Sequence, residues 1–153
     1  VQRLFTDEQL DGYNSRKGQL FKKFIRLAHA HCVKQRDVAF YAQQLCISTR
    51  YLSAIVQKVG NCSPKAIIDE LLTLEIKITL QSTNLSLKEI AEQYRFPDQS
   101  FFGRYFKKHT GMSPKEYRTR HVIWGSERQG AAANGGKPHY ATSHLLKRGF
   151  SQI

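Results

Sequence analysis

The sequence predicts an all-α protein of about seven helices, in which a long linker helix joins two similar helical subdomains. Between residue 16 and about residue 120, apolar residues recur every three or four positions, which is the spacing of amphipathic helices. Helix-capping residues, Pro and Gly separate these runs at short intervals. Internal repetition is the third observation, because one pattern of caps and apolar positions occurs twice along the chain.

The composition is that of a folded, strongly basic protein. Its 153 residues are about one domain's length, and 41% of them are hydrophobic, which is enough to form a core. Lys and Arg total 24 against 12 Asp and Glu, so the net charge is +12. This excess is typical of proteins that bind a polyanion, although a basic, solvated surface would also be consistent with it.

Several classes of protein are not indicated by the sequence. No apolar run approaches the ~20 residues that span a bilayer, and no signal peptide is visible. Cys32, Cys46 and Cys62 are odd in number and lack metal-ligand spacing, so we expect thiols in a reducing compartment rather than disulfides or zinc. His29 and His31 would face different sides of a helix, and no catalytic set occurs at a useful spacing. We therefore expect no enzyme activity, no metal and no cofactor.

The two ends of the chain differ from its centre. Residues 1–15 are polar and contain Gly and Asn breakers, which predicts a linker or arm. Because the first residue is Val1, we expect a fragment or a processed chain. Residues 121–153 include the low-complexity stretch 130–136, which predicts a disordered tail. Two alternatives for this tail are a segment that is not native to the rest of the protein and a basic arm that contacts a polyanion.

The first subdomain is predicted at about residues 36–62, after a helix over residues 16–32. Asp37 opens its first helix, and Ser48 is a good N-cap for its second. Gly60 and Asn61 end that second helix, since both tolerate the left-handed conformation of a C-terminal cap. The apolar positions of these three helices are Leu20, Phe21, Phe24, Ile25 and Ala28; Val38, Ala39, Ala42 and Leu45; and Tyr51, Leu52, Ile55, Val56 and Val59.

A longer linker helix is predicted from Ser63 and Pro64 to about residue 81, with Ser63 as N-cap and Pro64 at the first helical position. It carries two neighbouring apolar stripes, which indicate burial on more than one side. The stripes are Ile67, Leu71, Leu74 and Ile78, and Ile68, Leu72, Ile76 and Leu80.

The second subdomain is predicted at about residues 86–120. Ser86 followed by Glu89 is a capping box that begins its first helix. Its second helix is expected over residues 98–109, with Gly111 as the cap and a short final helix to about residue 120. The apolar positions are Leu87, Ile90, Ala91 and Tyr94 in the first helix, and Phe101, Phe102, Tyr105 and Phe106 in the second.

The two subdomains align with each other. Residues 52–58 match residues 102–108, and residues 61–65 match residues 111–115. Ala42 matches Ala91 at a spacing that differs by one, so the second turn holds one extra residue. These alanines are small, as is needed where two helices cross closely. Ile47 would anchor the first turn in the core, and Phe96 would anchor the second. This is the helix-turn-helix pattern, in which the second helix enters the DNA major groove, and we expect two reading helices roughly 34 Å apart.

The run FPDQSFFGRYFKKHTGMSPKEYR, residues 96–118, resembles the signature of the AraC/XylS family of bacterial transcription regulators, and the resemblance extends over residues 36–120. It implies a cytoplasmic, nucleoid-associated protein that binds duplex DNA to activate or repress transcription, with RNA polymerase as a partner if it activates. Many members add an effector-binding or dimerisation domain before this module, so we expect such a domain to be missing here, unless residues 1–35 are its tail. The chain departs from the family where Leu72 and Leu74 replace a frequent Arg and where Ala54 replaces a long polar side chain.

Side chains near the N-terminal part of a recognition helix, facing away from the core, contact base edges. Arg50 and Arg104 have the forked guanidinium that fits guanine, and Gln99 has the amide that fits adenine; a phosphate contact is the alternative for both arginines. Phe101 is either at the edge of the core or an apolar contact to a thymine methyl group. The predicted base-contacting residues are Arg50, Ser53, Gln57, Gln99, Ser100 and Arg104.

The predicted phosphate contacts are Thr49 at the start of the first recognition helix, residues further along both recognition helices, and residues at the start of the last helix. From Phe101 to Arg120 the chain has six Lys or Arg and one acidic residue, which favours DNA contact over a merely solvated face. The predicted phosphate-contacting residues are Thr49, Lys58, Lys107, Lys108, Ser113, Lys115 and Arg118.

The leading hypothesis is therefore that the protein binds specific sequences of double-stranded DNA and so regulates transcription. A non-specific nucleic-acid-binding protein would explain the charge but not the defined reading helix. A helical protein-interaction module, with its basic face on an acidic partner, is the third possibility and needs no base contacts.

Overall fold

A computed structural model describes residues 15–121, and these residues form seven α-helices and no strand. The predicted all-α class is confirmed. Ser15 caps the first helix and His121 ends the last, so both belong to the fold; the rest of the predicted arm and tail lies outside the described residues. The helices are α1 (Arg16–His31), α2 (Val38–Gln44), α3 (Thr49–Gly60), α4 (Pro64–Ser82), α5 (Leu87–Gln93), α6 (Gln99–Thr110) and α7 (Pro114–His121).

The described residues fall into two compact units, 15–69 and 70–121, with the boundary inside α4. In the first unit, α1 packs against α3 and α2. Phe21, Phe24 and Ala28 on α1 are completely buried, and a Cβ added at Gly60 of α3 would lie only 3.1 Å from the Phe21 ring. The absence of a side chain at Gly60 therefore allows α1 and α3 to approach closely.

The predicted apolar face of α2 is partly wrong. Val38 is half-buried and Ala39 is exposed, whereas Tyr41 and Ala42 are buried. Tyr41 packs edge-on against Phe24, with ring centroids 5.6 Å apart, and its hydroxyl donates a 2.6 Å hydrogen bond to the Gln35 carbonyl. Because that polar atom is satisfied, the large ring rather than Val38 fills the space beneath α2.

The two stripes predicted on α4 differ in burial. Ile68, Leu72, Ile76 and Leu80 are completely buried, as the second stripe predicts. The first stripe is only partly buried: Ile67 is buried, Leu71 and Leu74 are half-buried, and Ile78 is 40% exposed. Residues four apart share one side of a helix, so the buried stripe leaves Ile78 near the opposite side.

In the second unit, α5 packs against α6, and α6 packs against α7. Ser86 and Glu89 form the predicted capping box at the start of α5, with hydrogen bonds of 3.1 and 2.7 Å. The hydroxyl of Tyr94 lies 2.6 Å from that of Thr79 and also donates to the Glu75 carbonyl at 3.1 Å. These bonds tie the end of α5 to the second half of α4. The buried aromatic residues of this unit are Tyr94, Phe96, Phe102, Phe106 and Tyr117.

Candidate nucleic-acid interface

Helices α3 and α6 are equivalent elements of the two units. Each has 12 residues, and corresponding positions differ by 50 in number. Ser48 and Asp98 cap them, each accepting a hydrogen bond from the backbone N–H three residues on, at 3.1 and 2.7 Å. Each helix is followed by a residue in the left-handed conformation, Asn61 (φ 55°) or Gly111 (φ 81°), as predicted.

The turns that precede α3 and α6 are equivalent as well. The backbone N–H of Ile47 donates to the Ala42 carbonyl at 3.0 Å, and that of Phe96 donates to the Ala91 carbonyl at 2.8 Å. Both alanines are buried, in accord with the need for a small side chain there. The extra residue of the second turn is Pro97. The repeated helix-turn-helix pattern predicted from the sequence is therefore present in the structure.

The six side chains predicted to contact bases are all exposed. On α6, Gln99 and Ser100 occupy the first two positions, and Arg104 lies one turn further on. On α3, Arg50 occupies the second position and Ser53 lies nearly one turn further on. Gln57 lies in the C-terminal half of α3, where its amide nitrogen donates to the Asn61 side chain at 3.3 Å. The long polar side chains near a helix N-terminus are therefore Arg50 on α3, and Gln99 and Arg104 on α6.

The C-terminal half of α6 is basic on its exposed side. Lys107 and Lys108 are exposed, and neither forms a salt bridge with a carboxylate in the part of the chain that the structure describes. Lys58, which corresponds to Lys108, is exposed on α3, as is Thr49 at the first position of that helix. These side chains are accessible to an anionic partner.

Two of the predicted phosphate contacts, Ser113 and Arg118, are only partly exposed. Ser113 forms a capping box with Glu116: the hydroxyl accepts from the Glu116 N–H at 3.2 Å, and the carboxylate accepts from the Ser113 N–H at 3.0 Å. The bond from the Ser113 backbone, helped by Lys107 and Arg120, lowers the pKa of Glu116. A carboxylate therefore already occupies the start of α7, where the sequence predicted a phosphate.

Arg118 points inward rather than toward a partner. Its Nε donates to the Leu80 carbonyl near the end of α4 at 3.3 Å, and its Nη2 is buried. This placement favours a structural role over the predicted phosphate contact. Nothing in the sequence shows it, because the Leu80 carbonyl is brought near Arg118 only by the fold. Lys115, by contrast, is exposed.

The sequence assigned Tyr51 to the buried stripe of α3, and this is wrong, because its side chain is 37% exposed. Phe101, the corresponding residue of α6, is 43% exposed, while its ring lies 6.1 Å from that of Phe96. It is thus at the edge of the core. Because Tyr51 and Phe101 occupy the same position of the two repeats, aligning the repeats could have shown from the sequence that they correspond.

Within residues 15–121, His, Cys, Asp and Glu side chains do not gather into a group that could hold a metal ion. None of the helices described is long and apolar enough to cross a membrane. Helices α3 and α6 contain hydroxyl, amide, imidazole and basic side chains but no acidic residue, so their polar chemistry is hydrogen bonding and positive charge.

Known proteins share this pattern. The model of a helix-turn-helix domain family matches residues 41–120. The HTH-type transcriptional regulator YijO of Escherichia coli K12, whose name marks it as uncharacterized, is 32% identical over 110 residues, which are 70% of this chain and 38% of that protein. The arabinose operon regulatory protein of the same organism is 32% identical over 82 residues, which are 54% of this chain and 28% of that protein. The chain thus spans between about a quarter and two fifths of the length of these relatives.

Solved structures have the same fold. The C-terminal domain of AraT, a response regulator from Geobacillus stearothermophilus, is 25% identical with a TM-score of 0.64, and the match covers 82% of this chain and all of that one. The DNA-binding domain of AdpA, a global transcriptional factor solved with a target DNA, is 22% identical with a TM-score of 0.60, covering 72% of this chain and 97% of that one. The matched family and named relatives are regulators, in agreement with the prediction that the chain is not an enzyme. The chain belongs to the AraC/XylS family of helix-turn-helix transcription regulators and contains its DNA-binding domain.

Proposed function

We propose that this protein regulates transcription by reading specific sequences of double-stranded DNA in the major groove, with α6 as the main reading helix. The observation that carries the proposal is the repeated helix-turn-helix with exposed Gln99 and Arg104 on the first turns of α6. An arginine fork matches O6 and N7 of guanine, and a glutamine amide matches N6 and N7 of adenine. Major-groove reading is the use for which this geometry is suited.

The base-reading set that we propose is unequal in the two units. On α6, Gln99, Ser100 and Arg104 read bases; on α3, Arg50 and Ser53 do so, with Gln57 as an accessory. Ala54 corresponds to Arg104 and is exposed, but its methyl group cannot form a hydrogen bond. The second unit therefore contributes more of the specificity.

The proposed phosphate contacts come from Thr49, Lys58, Lys107, Lys108 and Lys115, all of which are exposed. Contacts of this kind fix the position and orientation of a protein on the duplex without reading its sequence. Ser113 contributes at most through its hydroxyl, because Glu116 already accepts from its backbone N–H. Arg118 is not included, since its guanidinium is turned toward Leu80.

Replacing Arg104 with Ala tests the role of α6. We expect tolerance of all four bases at one position of the site, with a loss of about 1–3 kcal/mol on the preferred sequence. Binding to a panel of duplexes, each differing from the selected site at one base pair, measures this. Lys107→Ala is the matched control on the same helix: it should weaken binding to all duplexes equally and reduce the salt slope by about 1.

The alternative functions predict other outcomes. For a non-specific nucleic-acid-binding protein, Arg104→Ala would reduce the affinity for every duplex by the same factor. For a module whose basic face binds an acidic protein, neither Gln99→Ala nor Arg104→Ala would alter a DNA footprint. Either result would contradict the proposal.

The cellular setting that we propose follows from this chemistry. DNA lies in the nucleoid of the bacterial cytoplasm, so we place the protein there. As an activator it would contact RNA polymerase, and it would work beside an effector-binding or dimerisation domain, in keeping with the greater length of its relatives. Loss of reporter activation on changing exposed residues outside α3 and α6, with DNA affinity retained, would test the polymerase contact.

A further inference from the structure

The two recognition helices expose an aromatic ring at the same position. Large exposed hydrophobic side chains in the described residues are Tyr51, Ile78 and Phe101. Tyr51 is the third residue of α3 and Phe101 is the third residue of α6. The rings therefore occur in the first turn of each helix, beside the side chains that we propose to read bases.

Helix caps fix the backbone at both positions, and the core also holds the Phe101 ring. The N–H of Phe101 is bonded to the Asp98 cap at 2.7 Å, and that of Tyr51 to the Ser48 cap at 3.1 Å. The Phe101 ring also lies against Phe96, which itself packs on Phe102 with ring centroids 5.2 Å apart. Phe101 thus has one side against the core and another open to a partner, without a large loss of side-chain freedom on binding.

An apolar ring has few partners in the major groove. Base edges there present hydrogen-bond donors and acceptors, which a phenyl ring cannot satisfy, and one apolar group, the C5-methyl of thymine. A phosphate contact is also unsuited to Phe101, which has no polar atom. Exposed apolar area at a reading helix is therefore matched by a thymine methyl group.

We propose that Phe101 and Tyr51 are specificity-determining residues that contact thymine methyl groups, one in each segment of the DNA site. Phe101 makes the larger contribution, because it is the more exposed and has no hydroxyl group to hydrate. The proposal rests on the proposed function, since it needs α3 and α6 to enter the major groove.

Uracil substitution tests this contact, because uracil differs from thymine only in lacking the methyl group. In the selected duplex, each thymine is replaced in turn by uracil, and the dissociation constant is measured for the wild type, Phe101→Ala, Tyr51→Ala and Ile78→Ala. Losing one buried methyl group should weaken wild-type binding about fourfold at one position for each ring. Phe101→Ala should abolish the loss of affinity at the thymine that Phe101 contacts and keep the loss at the thymine that Tyr51 contacts. Tyr51→Ala should have the opposite effect.

Two controls sharpen the result. Ile78 is the third exposed hydrophobic residue but lies on α4, so Ile78→Ala should keep both uracil penalties. Phe101→Leu keeps an apolar side chain at this position, so it should retain most of the affinity loss that uracil causes there. The inference is overturned if wild-type protein tolerates uracil everywhere, or if both penalties survive in Phe101→Ala and Tyr51→Ala. A protein for which no duplex can be selected would instead overturn the proposed function.

Discussion

Folding changes the chemistry of Tyr41. Its ring is completely buried, and its hydroxyl donates to the Gln35 carbonyl. Burial, followed by interaction with Cys32, raises its pKa to about 12 from 10.0. A raised folded-state pKa gives stability that is complete below the unfolded-state value and is lost as the pH rises through the folded-state value.

We therefore predict an alkaline loss of stability that Tyr41→Phe removes. Between pH 9 and pH 11, the free energy of unfolding of the wild type should fall by about 1 kcal/mol relative to the variant. Urea unfolding of both proteins at each pH measures this difference, and the comparison cancels the titration of the other tyrosines. Parallel pH profiles would contradict the burial argument.

Arg118 is a residue for which the structure changes the interpretation. Because its Nε donates to the Leu80 carbonyl, Arg118→Ala should lower the free energy of unfolding by about 1–2 kcal/mol. It should leave the salt slope of DNA binding unchanged. Exposed Lys115 on the same helix is the control: Lys115→Ala should reduce the salt slope by about 1 and leave stability unchanged. The reverse pattern would restore Arg118 as a phosphate contact.

At the level of the helix, α6 has one glycine inside it and another directly after it. Gly103 is inside the helix, and a Cβ added there would meet no atom within 4 Å. Gly111 follows the helix with φ 81°, and space around it is also open. The two positions therefore differ in backbone conformation rather than in packing.

The two Gly→Ala variants should consequently have opposite effects on stability. Gly103→Ala should raise the free energy of unfolding by about 0.5–1 kcal/mol, because Ala restricts the unfolded chain and favours a helix. Gly111→Ala should lower it by about 1 kcal/mol, because an L side chain is strained at positive φ. Thermal unfolding without DNA measures both, and a shift of the same sign in both variants would contradict this account.

The helix boundaries were largely predictable, because the signals that set them are local. Ser48, Ser86 and Asp37 cap helices through hydrogen bonds that span only a few residues. The burial of Tyr41 in place of Val38 and the exposure of Ile78 were not predictable, because they depend on which helix packs against which face. The bond from Arg118 to the Leu80 carbonyl spans 38 residues and depends on the fold in the same way.

For the molecule as a whole, we propose that positive charge supplies most of the affinity for DNA and that α6 supplies most of the specificity. With four lysines on phosphates, the logarithm of the binding constant should fall with the logarithm of salt concentration at a slope of about −4. Fluorescence anisotropy on a labelled duplex from 50 to 200 mM salt measures it. A slope near zero would mean that the net charge of +12 does not contact the DNA backbone.

Selection of binding sites from random duplexes, with non-specific competitor DNA present, tests whether this protein reads DNA sequence. Sequence-specific reading predicts enrichment of one motif, and single base-pair changes at its contacted positions should each reduce affinity by about 1–3 kcal/mol. Recovery of unenriched sequences, all bound with equal affinity, would contradict it.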